Sequence, residues 1–238
     1  MGSLIRAGLF IDGFNLYHAL HDLGQNHLKW ANLWRLGEDI IPSKSQQLVT
    51  VQFCTAYFPG DHGKRIRHDA YKRALELSGV ECHWGHYADD HRACPSCNHQ
   101  WVRPSEKQTD INVALSVFDA ARQNTIDHAY ILSADSDQAA TVSWFTGAFP
   151  EKAITLVIPP NRPGSKLMRD KGGTKEIKLN VSHFERCHFG AVVSDGNTTV
   201  NRPFEYDPPE GWVHPDDRPK DKPPKIPKGT KWVTVAKG

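Results

Sequence analysis

A doubly wound α/β fold around a mainly parallel five-stranded sheet is predicted by three observations. Five short apolar runs, rich in Val, Ile, Leu and Ala, are continuous rather than alternating, as in strands covered on both faces. Amphipathic stretches separate these runs and supply the crossovers that parallel strands require. Aspartates stand where strands end or a helix begins, and in such sheets ligands bind beyond the carboxyl ends of the strands, where strand order reverses.

The first strand is expected at about residues 7–12. A helical stretch over 15–39 follows, with Leu16, Ala19, Leu20 and Leu23 at helical spacing and a break near Gly24. The second strand is at 48–55. A charged helix at 62–77 then keeps Ile66, Ala70, Ala74 and Leu77 on one side. The third strand is at 80–86. Residues 88–105 interrupt the pattern with His, Cys and polar groups and read as an insertion. A helix at 110–122 repeats Ile111, Ala114, Leu115, Phe118 and Ala121; the fourth strand (128–133), a helix (138–149) and the fifth strand (153–158) complete the layer. One domain is expected over residues 1–202. Prolines alternating with Lys and Asp make 203–238 an extended, largely disordered tail, in which residues 231–235 dock as a short strand or bind a partner.

The bulk numbers narrow the class. The 238 residues are 39% hydrophobic and 24% charged, as a globular chain should be, and the net charge of +2 neither demands nor excludes nucleic acid. No apolar run is long enough for a membrane helix, and the start lacks a signal peptide's apolar core. Five cysteines, an odd count with one C-x-x-C, fit a reduced cytoplasm better than a disulfide framework. The oligomeric state is not encoded legibly.

Asp12, Asp110, Asp135 and Asp137 converge into one acidic pocket if the fold brings their segments together. Carboxylates held by separate rigid elements suit Mg²⁺ or Mn²⁺, and such ions can activate water and relieve charge on a phosphodiester. Asn15, one helical turn past Asp12, is placed to hydrogen-bond an Asp12 oxygen or a phosphate, and Ser133 to do the same beside Asp135. The structural alternatives are a helix N-terminal carboxylate at Asp110, an N-cap at Asp135 and an ordinary turn at Asp12-Gly13.

Three segments resemble the motifs of the NYN domain, a branch of the PIN-like nuclease group: Phe10-Ile11-Asp12-Gly13-Phe14-Asn15-Leu16, Glu106-Lys107-Gln108-Thr109-Asp110-Ile111-Asn112, and Ile131-Leu132-Ser133-Ala134-Asp135-Ser136-Asp137. The resemblance spans about residues 5–202. It implies a strand order of 3-2-1-4-5 and a metal-dependent endoribonuclease with Asp12, Asp110, Asp135 and Asp137 as its acids. Glu106 would be a further ligand or a support, and Lys107 a cation beside the metals. Gln138 departs from the pattern, standing where an apolar residue is usual.

Cys94-Pro95-Ser96-Cys97 has the spacing of a zinc knuckle, and a structural Zn²⁺ clipping the insertion is expected. Cys82, His83, His86, His91 and His99 lie close enough in sequence to complete it, with His86 and His91 the leading partners; free thiols in a polar loop are the alternative. For RNA contacts the candidates are Lys64, Arg65, Arg67, Lys72 and Arg73, then Arg162, Lys166, Arg169 and Lys171. Tyr57, Phe58, Trp84, Tyr87 and Trp101 are candidates for stacking on bases. The expected activity is RNA cleavage at a carboxylate-held Mg²⁺ or Mn²⁺ site. The rivals are a DNA nuclease of the same fold and a non-catalytic RNA-binding adaptor that recruits a protein through its tail.

Overall fold

In chain order, a computed structural model describing residues 4–57, 59–172 and 175–219 shows β1 (Ile5–Asp12), α1 (Gly13–Asp22), a 3-10 turn (Asn26–Lys29) and α2 (Leu33–Ile40). Next come β2 (Gln46–Thr55), α3 (His62–Leu77) and β3 (Glu81–Trp84). A hairpin of β4 (His86–Ala93) and β5 (Gln100–Lys107) precedes α4 (Thr109–Arg122). β6 (His128–Leu132), α5 (Ala139–Ala148), β7 (Ala153–Ile158), α6 (Lys166–Asp170), β8 (Lys175–Lys178) and α7 (Val181–Arg186) follow, then a small antiparallel ribbon of β9 (Val192–Ser194) and β10 (Thr199–Asn201).

The central sheet runs β3-β2-β1-β6-β7-β8, with every neighbouring pair parallel. β6 and β7 take the places expected for the fourth and fifth strands, and β8 adds a sixth at the edge. Its sequence, Lys-Glu-Ile-Lys, carries a single apolar residue, because charges on an edge strand discourage pairing with another chain. Strand alternation divides the core in two. Ala7, Leu9 and Ile11 of β1 face Leu16 and Leu20 of α1, Leu36 of α2 and Leu75 of α3. Phe10 faces the opposite layer, with Val113 and Val117 of α4 and Val142 and Phe145 of α5. Helices on both faces of a parallel sheet make the fold compatible with a doubly wound architecture.

The break expected near Gly24 divides the helical stretch over 15–39 into two helices, the chain turning there through the left-handed region (φ +68°). Other expectations need correction. The third strand ends at Trp84. Gly85 then donates to the Thr55 carbonyl (2.8 Å) and passes so close to Lys107 that an added Cβ would lie 2.4 Å from its carbonyl oxygen. The insertion is a paired hairpin, in register from His86 opposite Lys107 to Ala93 opposite Gln100. Its charged and histidine-rich sequence hid the alternation because the hairpin has no core of its own. The proline-rich segment through residue 219 is laid against the body: Tyr206 stacks on the buried Trp30, and Trp212 packs on His188 and His27. Residues 220–238, with the strand expected at 231–235, lie outside the described residues. No helix among the described residues is long and apolar enough to cross a membrane.

Candidate functional site

The strand order reverses between β1 and β6, and the side chains that close these strands meet there. The Ser133 hydroxyl donates to Asp12 Oδ2 (2.8 Å) and accepts from the Asp135 amide (3.0 Å). Asp12 Oδ1 accepts from the Asn15 amide (3.0 Å), so the carboxylate also caps α1. The Asn15 side chain reaches across the crevice, its Oδ1 accepting from the Ala134 amide (3.0 Å). It therefore ties α1 to the loop after β6, whereas the Asn15 backbone is what holds Asp12. Asp135 Oδ1 accepts from the Asp137 amide (3.0 Å) and caps the turn that carries Asp137 to the surface.

Asp110 enters from the first turn of α4. Gln138, almost fully buried, donates to Asp110 Oδ1 (3.2 Å) and accepts from Thr141 Oγ1 (2.9 Å). The residue that departs from the family pattern is thus the one that orients Asp110. Glu106 accepts from the Thr109 amide (2.8 Å) and hydroxyl, capping α4, whose preceding residue Gln108 is left-handed (φ +80°). Lys107 lies opposite His86 in the hairpin, and its charge acts on Asp90.

The electrostatics show that the acids converge. Burial pushes the Asp12 carboxyl up to about 6; the bonds from Asn15 and Ser133 oppose this, and the like charges of Asp110 and Asp135 add to it. Asp110 is also raised, first by burial, with Gln138 opposing and Asp135, Glu106 and Asp137 adding. This mutual repulsion would be relieved by a proton or a cation. Among the described residues, however, no group of three or more His, Cys, Asp or Glu side chains is arranged to hold a metal ion.

Beside this acidic corner lies a cavity of about 930 Å³ between α1, the start of α3 and the hairpin. The two adjoin at Gly13 and Glu106; the cavity does not include Asp12. An added Cβ at Gly13 would lie 2.6 Å from the Cys54 carbonyl oxygen, so glycine is what lets α1 start this close to β2. Phe14, Tyr17 and Tyr87 supply aromatic wall. The Lys29 ammonium sits over the Tyr17 ring (5.0 Å from the centroid), bonded to Asn26 Oδ1 (2.9 Å) and His21 Nδ1 (3.1 Å). Burial lowers the Lys29 pKa, and the nearby cations Arg67 and Lys64 lower it further. His18, on the same wall, is held below the ordinary imidazole range, chiefly by burial. Sequence reading missed Lys29 and His18, because an isolated Lys in a helix break and a His on a helix carry no pattern.

Most of the basic residues expected at phosphates have protein partners: Arg67 with Glu205, Arg162 with Asp22, Arg169 with Glu176, Lys72 with Glu76 and Lys166 with Asp170. Tyr57 and Trp84 stack on each other (4.3 Å, 3°), and Phe58 lies outside the described residues. The zinc clip through His86 is corrected by position. His86 opens β4 and contacts Gln108, whereas Cys94 follows the far end of that strand, about 25 Å away at the rise of a strand.

No known protein-family profile matches the chain. It is 24% identical over 243 residues, covering 87% of this chain and 77% of the relative, to a 6-hydroxy-3-succinoylpyridine 3-monooxygenase of Pseudomonas putida. A crystal structure of a protein of unknown function from Vibrio parahaemolyticus covers 76% of this chain and 98% of its own, with a TM-score of 0.49 and 16% identity. The monooxygenase overturns the expected metal-dependent ribonuclease and its RNA-binding role, because a relative aligned along most of the chain is an oxidoreductase rather than a phosphodiesterase.

Proposed function

We propose that this protein is an oxidoreductase acting on a small aromatic substrate with an acidic arm, bound in the cavity between α1, α3 and the hairpin. The observation that carries this reading is the buried Lys29 ammonium, crowded by Arg67 and Lys64 at the wall of an aromatic cavity. A buried ammonium favours an anion beside it, and the rings of Phe14, Tyr17 and Tyr87 favour a flat apolar body. The name of the Pseudomonas relative's substrate describes such a molecule: a hydroxylated pyridine bearing a succinoyl arm.

Monooxygenation places one atom of dioxygen on the substrate and reduces the other to water, consuming two electrons and two protons from outside the substrate. In this reading Lys29 holds the acidic arm, and neutral His18 accepts a proton from the ring hydroxyl. A reduced dinucleotide would supply the electrons, but the switch point does not fit one. The Asp12 carboxylate already occupies the start of α1, and Asp110 and Asp135 would repel a pyrophosphate there. No step is therefore derived through a dinucleotide at that position. The all-oxygen donors of the acidic corner suit a hard divalent cation, Mg²⁺ or Mn²⁺, which would neutralise the corner beside the cavity.

The test is incubation with 6-hydroxy-3-succinoylpyridine under ¹⁸O₂ with reduced nicotinamide, with and without added flavin. Incorporation of one ¹⁸O atom into product, with a KM raised in Lys29→Met, supports the reading. Absence of both turnover and calorimetric binding of the pyridine acid would overturn it.

A further inference from the structure

The segment after β10 puts a carboxylate into the cavity wall. Phe204–Tyr206 forms a 3-10 turn that is fixed from both ends. Arg202 Nε donates to Asp207 Oδ1 (2.9 Å) across the turn, and the Tyr206 ring stacks on the buried Trp30 (6.3 Å between centroids, 29°). Glu205 and Tyr206 line the cavity together with Arg67 of α3. The Arg67 guanidinium donates to Glu205 Oε1 (2.6 Å) and also bonds the Tyr206 hydroxyl. The two side chains of the ion pair are only 23% and 32% exposed, so water and salt screen them less than a surface pair.

The cations of the cavity are therefore not alike. Lys29 is buried, and the groups that hold it, Asn26 and His21, carry no negative charge. Arg67 already has its carboxylate. Lys64, Arg65, Arg92 and Arg103 line the same cavity but are exposed, where solvent weakens their pull on a ligand. One buried cation is thus left for the acid of a ligand. A second acidic group would find Arg67 occupied and would be repelled by Glu205.

We propose that Glu205 sets the charge of the ligand: by occupying Arg67 it confines the cavity to aromatic acids with one anionic group and turns away those with two. This rests on the reading of the cavity as an aromatic-acid site. The test is calorimetric titration of the full chain and of Glu205→Gln with two compounds. One is 6-hydroxy-3-succinoylpyridine, which carries one carboxylate; the other is the same compound bearing a second carboxylate on its ring. The parent should bind the monoanion more tightly. Glu205→Gln frees Arg67, so the ratio of the two affinities should move by about tenfold towards the dianion. Adding Arg67→Met to that variant should return the ratio to near the parent's, which a purely structural role for Glu205 would not produce. If the parent binds the monoanion but Glu205→Gln leaves the ratio unmoved, the proposal is overturned while the reading of the cavity stands. A parent that prefers the dianion overturns it equally, as does a ratio that stays raised after Arg67→Met, or loss of monoanion binding in Glu205→Gln. Binding of neither acid to the parent overturns the proposal and the reading beneath it together.

Discussion

Replacing Asp12 with Asn should make the protein more stable at neutral pH and remove most of one component of its pH dependence. Burial and two neighbouring carboxylates push the Asp12 carboxyl from 3.8 up to about 6. Between these values the folded protein holds a proton that the unfolded chain has lost. Wild-type stability therefore falls as pH rises through this window, and the full penalty is present above about pH 6. The gap between 3.8 and about 6 corresponds to roughly 3 kcal/mol. Asn keeps an acceptor for the Asn15 amide and carries no charge, although its amide end must face the Ser133 hydroxyl, a loss of about 1 kcal/mol. The background has the opposite sign: burial holds His128 and His188 down to about 4, so they make stability rise with pH over about 4 to 6.5. That background is common to both proteins and cancels in their difference. Urea denaturation of wild type and Asp12→Asn at intervals from pH 4 to pH 7.5 gives the difference directly. The variant should gain on wild type by roughly 2–3 kcal/mol between pH 4 and pH 7. A difference that stays flat across this range would refute the argument, because Asp12 would then titrate like an exposed carboxyl.

Gly13→Ala forces a methyl against the Cys54 carbonyl oxygen and the Phe53 ring, and should cost about 1–3 kcal/mol in chemical denaturation. Lys29→Met removes a buried cation and should weaken binding of an aromatic carboxylate by about 10- to 100-fold in calorimetry, without loss of melting temperature. Gln138→Leu installs an apolar residue but strips Asp110 and Thr141 of a buried partner, so it should destabilise by about 1–3 kcal/mol. Mn²⁺ should raise the melting temperature of wild type and leave Asp12→Asn with Asp135→Asn unmoved, as scanning calorimetry would show.

How much of this was legible depends on whether a residue announces itself locally. β1, β6 and β7 were readable because strands buried on both faces need unbroken apolar runs. β8 and the hairpin were not, because an edge strand and a ribbon without its own core carry charges where a buried strand carries Val and Ile. The acids of the corner were legible as aspartates ending strands, and Ser133 does bond Asp12 as its place suggested. Asn15 and Glu106 were placed in the right neighbourhood but spend their polar atoms on Ala134 and on the cap of α4. The cavity was illegible, since it is assembled from α1, α3, the hairpin and the segment at Glu205, which only the fold brings together.

The acidic corner and the basic cavity explain one another. Burial and neighbouring carboxylates raise Asp12 and Asp110, and burial, with the nearby charges of Arg67 and Lys64, lowers Lys29. Either set alone would favour expansion. They are kept apart by α1, which starts at Gly13 so close to β2 that no side chain fits at that point, and by Glu106, whose carboxylate is tied to Thr109. Asp12 is held by the Asn15 amide and the Ser133 hydroxyl, and Lys29 by Asn26 and His21, so the two do not pair with each other. A fold optimised only for stability would have paired them. In the proposed reading, holding the two sets apart leaves the cavity wall at Lys29 for the anionic end of a substrate.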